Sequence, residues 1–305
     1  MKLLQVEGLV KGFGGNNVVD GVSFSVSEGE VVGFVGPNGA GKSTTMKMIS
    51  GLLKPNSGAV SIDGLAFLDD PKRYLAKIGV LIESPAFYPE LTARDHLAYL
   101  ARMRGHWDTS IVRDALAHVG LSADSNKSVR KYSTGMKQRL GIAMAILHNP
   151  RVLILDEPTN GLDPAAIVAV RELMRNLADH GTGILVSSHL LSEIERVCNR
   201  VVFIKGGRIV RDENIQAEAQ HLIRMLVCSN DLERAQEILS KQEFVLDIVR
   251  TDRGILCVVQ HNDIGQLAAA IVNHGVALLE LSPATKGLEN TYVSEYGSGM
   301  KEGLE

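Results

Sequence analysis

A chain of 305 residues has room for one large domain and a small one. Its apolar share of 45% excludes a disordered chain, and a formal charge of −3 gives no electrostatic reason to expect nucleic-acid binding. The three cysteines, Cys198, Cys228 and Cys257, are far apart and make no C-x-x-C pair, which excludes a zinc framework or a disulfide scaffold and makes each a small buried apolar residue.

From the amino terminus, Met1-Lys2-Leu3-Leu4-Gln5-Val6-Glu7 meets a charge too soon for a signal peptide. No apolar run approaches the roughly 20 residues that span a bilayer. A cytoplasmic protein follows, touching a membrane only through a partner. Residues 1–30 read as short strands with Gly-rich turns. Val31-Val32-Gly33-Phe34-Val35 is an apolar run of the kind that forms a buried strand. Gly36-Pro37-Asn38-Gly39-Ala40-Gly41-Lys42-Ser43 comes next and fits G-x-x-x-x-G-K-[ST]. A helix is predicted from Lys42 to about Leu53. Strand, Gly-rich turn and helix in that order form a phosphate cradle: glycines let the backbone curl its N–H groups inward, and the helix start favours an anion. Lys42 is placed on the β- and γ-phosphates, and the Ser43 hydroxyl on Mg²⁺.

Residues from about 90 to 150 are helix-rich. Leu97, Leu100, Ala101 and Arg104 fall at helical spacing after Thr92, a suitable N-cap. Arg151 to Asp156 is a second buried strand and Gly183 to Ser188 a third, with helical segments between. That alternation predicts a mostly parallel sheet with helices on both faces. Val152-Leu153-Ile154-Leu155-Asp156-Glu157 ends in two carboxylates. Asp156 suits Mg²⁺, and Glu157 suits a general base that polarises the attacking water.

After about residue 214 the pattern changes. Leu222–Cys228, Phe244–Arg250, Gly254–Gln260 and Val276–Leu281 read as strands, Asp231–Gln242 and Asp263–His274 as helices. The order β-α-β-β-α-β, with Thr251-Asp252-Arg253-Gly254 as the central turn, matches a ferredoxin-like split unit. Two domains are expected: 1–214, with a helical subdomain at about 84–148, and 215–305.

These motifs, in this order over about residues 1–212, resemble the nucleotide-binding subunits of ATP-binding-cassette transporters. The resemblance implies an α/β P-loop NTPase cassette with a mostly parallel core, an antiparallel N-terminal β part and a helical signature subdomain. It implies binding and hydrolysis of ATP with Mg²⁺. Gly36, Pro37, Asn38, Gly39, Ala40, Gly41, Lys42, Ser43 and Thr44 then cradle the phosphates. Phe13, in Lys11-Gly12-Phe13-Gly14, stacks on adenine. Tyr132-Ser133-Thr134-Gly135-Met136 stands where the family usually has Leu-Ser-Gly-Gly-Gln. Ser133 and Gly135 are retained there to cap the γ-phosphate held by an opposite subunit. Gly161-Leu162-Asp163 is similar to the loop that crosses the dimer interface, and Ser188-His189 to the switch segment whose His189 contacts the γ-phosphate. Lys42, Glu157 and His189 are thus the catalytic set.

One position departs from the family. Ile78-Gly79-Val80-Leu81-Ile82 leads to Glu83, where the family usually has Gln. Glutamine donates and accepts; ionised glutamate only accepts. Glu83 is therefore assigned to Mg²⁺ or its water shell, beside Ser43 and Asp156. This Glu, the stretch Ile82 to Thr92 and the closing Leu288-Glu289-Asn290-Thr291-Tyr292 resemble ATPases of bacitracin-type and lantibiotic self-protection exporters. That branch implies an antimicrobial peptide or drug as cargo, and a separate transmembrane permease docked on residues about 78–105. Two cassettes pair head to tail in this family, so one motif set per chain implies a homodimer or a heterodimer with a similar cassette. It also implies a place on the inner face of the cell membrane. The competing reading is a soluble cassette ATPase regulating a non-transport process.

Overall fold

The computed structural model describes residues 1–83, 85–105, 108–121, 127–188, 191–215, 222–260 and 263–283. His189 and the Leu288–Tyr292 segment lie outside the described residues. The chain divides into two compact units, the first comprising Met1–Glu213 and the second beginning at Asn214.

The first unit holds two sheets. One is antiparallel and begins with a long hairpin, β1 (Lys2–Phe13) and β2 (Asn16–Ser27). The sequence suggested short strands here. Register shifts at four points along β1 let the ladder continue past Gly8 and Gly12, so the pair runs 12 residues on each side. Gly14 and Gly15, both at positive φ, make the tight turn that suits a hairpin's twist. Strands β4 (Ser57–Ile62) and β5 (Leu65–Ala66) complete the order β2-β1-β4-β5.

The other sheet has six strands. They are β3 (Val31–Val35), β6 (Ile78–Leu81), β7 (Val152–Asp156), β8 (Gly183–Ser187), β9 (Arg200–Lys205) and β10 (Arg208–Asn214), in the order β10-β9-β3-β8-β7-β6. The pairs from β9 through β6 are parallel. Strands β3, β7 and β8 are buried at every residue, as apolar runs without alternation require. Leu4, Val26, Phe34, Met46, Tyr74, Ile154 and Leu185 belong to one buried cluster that joins the two sheets. Phe24 and Phe34 stack across it with centroids 5.3 Å apart.

Helices fill the connections. They are α1 (Lys42–Ile49), α2 (Pro71–Ala76), α3 (Ala93–Met103), α4 (Thr109–His118), α5 (Thr134–Ile146), α6 (Pro164–Asp179) and α7 (Leu191–Val197). Helix α1 stops four residues before the predicted end because Gly51, at φ +75°, turns the chain out of the helix. Thr92 and Asp95 close a reciprocal capping box at the start of α3. Among the described residues no helix is long and apolar enough to cross a membrane.

The second unit has strands β11 (Leu222–Ser229), β12 (Val245–Thr251), β13 (Gly254–Gln260) and β14 (Leu278–Pro283) with helices α8 (Leu232–Ser240) and α9 (Ile264–Asn273). Its antiparallel sheet runs β14-β11-β13-β12, so the strands stand in spatial order 4-1-3-2 of their unit. That is the ferredoxin-like split arrangement expected from the strand and helix order. Val227, Leu239, Ile255, Leu267 and Ile271 form its own core.

Candidate nucleotide site

Parallel strands β3, β7 and β6 end on the same edge of the six-stranded sheet, where loops of such sheets bind ligands. The loop 36–41 leaves β3 there. Gly36 is required by space: a Cβ would lie 2.3 Å from the backbone oxygen of Ile204. Gly41 is required by conformation as well, with φ +107° at the N-cap of α1 and Val18 O 2.7 Å from an added Cβ. Helix α1 then starts with Lys42, Ser43 and Thr44. The Lys42 ammonium donates to Gly36 O at 2.6 Å and Pro37 O at 3.1 Å. Burial pulls its pKa below the ordinary lysine value, and the nearby charges of Glu157 and Asp156 push it partly back. The cradle lysine and both carboxylates of β7 therefore share one electrostatic site.

Asp156 is buried, and its Oδ1 accepts from Ser187 Oγ at 2.5 Å. The same hydroxyl oxygen accepts from the Glu157 backbone N–H at 3.0 Å. Ser187, fully buried on β8, thus ties the two acidic residues together. Glu157 itself sits at φ +51°, in the left-handed region. Sequence reading passed over Ser187 and singled out Ser188, which is also buried. The signal was weak, since a serine inside an apolar strand 31 residues away carries no local motif.

Glu83 lies two residues beyond Leu81, as Glu157 lies two beyond Leu155, and those leucines are partners in the β6–β7 ladder. Glu83 too is left-handed, at φ +60°. Its Oε1 is 2.6 Å from the Lys47 ammonium of α1. Lys47 is a second residue that sequence reading missed.

Phe13, at the end of β1, is 53% exposed and so is available to a flat ligand rather than used in the core. The Lys11 ammonium stands 5.4 Å from its ring centroid. Ser133 and Gly135 sit on a different element, the start of α5. The Ser133 hydroxyl accepts from Met136 N–H at 3.3 Å, and both Ser133 and Thr134 are exposed. An added Cβ on Gly135 would stand 3.5 Å from Leu162, so the segment packs against the Gly161-Leu162-Asp163 loop. Asp163 caps α6 by accepting from Ala166 N–H at 2.8 Å.

Among the described residues no three His, Cys, Asp or Glu side chains cluster closely enough to hold a metal unaided. Asp156 offers a buried carboxylate and Ser43 a hydroxyl, oxygen donors of the kind that Mg²⁺ takes beside water and phosphate oxygens. The cysteines divide differently from expectation. Cys198 and Cys257 are buried, whereas Cys228 is only half-buried, because its strand β11 turns that side chain toward Arg253 and Glu280 rather than into the core.

The family model for ABC transporters matches residues 19–160. The bacitracin transport ATP-binding protein BcrA of Bacillus licheniformis is 37% identical over 300 residues, covering 97% of this chain and 98% of that one. The lantibiotic transport ATP-binding protein SrtF of Streptococcus pyogenes is 39% identical over 211 residues, covering 69% of this chain and 90% of its own. Among solved structures, an ATP-binding subunit of an ABC transporter is 38% identical with a TM-score of 0.65, covering 72% of this chain and 92% of the other. A dimeric bacterial ABC transporter cassette is 26% identical with a TM-score of 0.64, covering 70% and 99%. The chain belongs to the ABC transporter family, as an ATP-hydrolysing ATP-binding subunit.

Proposed function

We propose that this ATPase drives export of an antimicrobial peptide or drug through a separate transmembrane subunit, on the inner face of the membrane, as a pair of cassettes. The observation that carries the reading is the electrostatic convergence of Lys42 with Asp156 and Glu157 beside the glycine loop, in a chain matched over nearly its whole length by a bacitracin transport protein.

In this reading the amides of residues 36–44 and the Lys42 ammonium hold the phosphates, and Phe13 takes the adenine. Glu157 accepts the proton of the attacking water, with its main chain fixed by Ser187. Ser43 and Asp156, with Glu83 through water, would hold Mg²⁺, which when bound offsets phosphate charge. Ser133 and Gly135 complete the site of the second cassette from the exposed start of α5, as the dimeric relative supports. His189 is assigned to the γ-phosphate. Tyr99 and Met103, one turn apart and exposed on α3, together with exposed Tyr88, offer the permease an apolar socket within residues 78–105.

Two experiments test this. Glu157→Gln with ATP and Mg²⁺ is expected to elute as a dimer in gel filtration; elution only as a monomer sinks the paired-cassette model. Co-reconstituted with its membrane subunit in liposomes, the wild type is expected to hydrolyse ATP faster when bacitracin or a lantibiotic is added. A basal rate that ignores both peptides removes the cargo assignment and leaves the ATPase intact.

A further inference from the structure

Glu83 adds a negative charge where the family usually has a neutral amide. The β6–β7 ladder ends with Leu81 beside Leu155, so the chain leaves both strands on one edge, and Asp156, Glu157 and Glu83 all follow within two residues of that last pair. Lys42 balances only one of them. A triphosphate brings several more negative charges to the same place, and like charges converging there weaken binding.

The structure contains the counterweight. Lys47 leaves α1 five residues after the cradle lysine and reaches Glu83 Oε1 at 2.6 Å. The side chains are 34% and 67% exposed. An ion pair that open adds little to folding stability. Its effect is local: it returns the charge of this edge to the count that a neutral residue at position 83 would give. The backbone at Glu83 supports a specific placement. A non-glycine residue in the left-handed region is held there by its surroundings, and such residues gather at functional sites.

We propose that Lys47 is a positioning residue for nucleotide binding: it neutralises Glu83 and holds that carboxylate off the phosphates, so that a cassette with glutamate in this loop still accepts ATP. The proposal rests on the nucleotide-site reading above and extends it to a residue outside the phosphate loop. Because it concerns charge, it applies more strongly to ATP than to ADP, which carries one phosphate fewer toward β6 and β7.

A double-mutant cycle on the purified full-length chain tests it, using displacement of a fluorescent ATP analogue by ATP and by ADP, with Mg²⁺ and with EDTA. Circular dichroism checks that each variant is folded. Lys47→Met is expected to weaken ATP binding about tenfold, a loss near 1.4 kcal/mol, and ADP binding about threefold. Lys47→Arg is expected to restore most of the loss. In the Glu83→Gln background, adding Lys47→Met is expected to change ATP affinity less than twofold. The proposal is overturned if Lys47→Met binds ATP like the wild type. It is equally overturned if the loss is the same with Gln at position 83, since Lys47 would then act on the nucleotide directly. A wild-type chain that binds neither nucleotide would instead refute the site reading itself, so the two failures are distinguishable.

Discussion

At the scale of single residues, short hydrogen bonds hold the candidate site in place. Ser187 uses one hydroxyl to donate to Asp156 and to accept from the Glu157 amide. Ser187→Ala takes the hydroxyl donor from the buried carboxylate oxygen and leaves the Glu157 amide with its 3.2 Å bond to the backbone oxygen of residue 187. A lost hydrogen bond to a charged group amounts to about 1.5–3 kcal/mol. We therefore expect kcat to fall about tenfold or more with KM for ATP changed less than twofold; steady-state ATPase kinetics decide this, and an unchanged kcat would deny Ser187 its positioning role. Gly36→Ala brings a Cβ to 2.3 Å from a backbone oxygen that has no flexible end to move. Displacement titration is expected to show more than tenfold loss of ATP affinity. The residues that the sequence announced, Lys42, Ser43, Asp156 and Glu157, lie within two short local patterns in which glycine, charge and strand end are adjacent. Ser187 and Lys47 act across 31 and 36 residues of chain, and no spacing rule within a segment reports such a partner.

At the scale of elements, start signals proved more legible than lengths. Thr92 was readable as a cap, and in the structure its hydroxyl accepts from Asp95 N–H while Asp95 returns a bond to the Thr92 amide. Thr92→Ala is expected to lower stability by about 1 kcal/mol in chemical denaturation; no change would mean that solvent replaces the cap without loss. Buried strands β3, β7 and β8 were visible because apolar stretches without alternation, Val31–Val35, Val152–Leu155 and Ile184–Val186, suit a sheet covered on both faces. The N-terminal hairpin was not visible as two long strands. Its glycines and polar residues look like interruptions in the sequence, and only the bulged pairing to a partner strand shows that they are absorbed. The end of α1 was missed for a local reason: Met48 and Ile49 continue an apolar helical pattern into Leu52 and Leu53, and a glycine's φ is not written in the pattern around it.

For the molecule as a whole, acid sensitivity has an identifiable contributor. His148, after α5, donates from Nε2 to Ile78 O at 3.0 Å, and its buried Nδ1 has no hydrogen-bond partner among the described residues. Burial, helped by Arg104, lowers its pKa from the usual imidazole value of 6.5 to about 4. The native state thus keeps this ring neutral while the unfolded chain takes up a proton below 6.5. Its contribution to stability is complete above that value and declines as pH falls from 6.5 toward 4. Thermal melts of the wild type and His148→Gln across this interval are expected to show the steeper fall in the wild type. Parallel slopes would assign the sensitivity elsewhere.

The division among the thiols gives the protein a built-in handle. Cys198 and Cys257 are sealed in cores, and their protons are held more tightly than usual by that burial; Cys228 is half-open on β11, its pKa raised by desolvation and by Glu280. A maleimide dye added to the native chain should attach in one equivalent, slowly at neutral pH and faster in mild alkali, and in three after guanidinium. Intact-mass spectrometry reads the stoichiometry directly. The natural chain then carries a single fluorophore on its second unit, without any engineered cysteine.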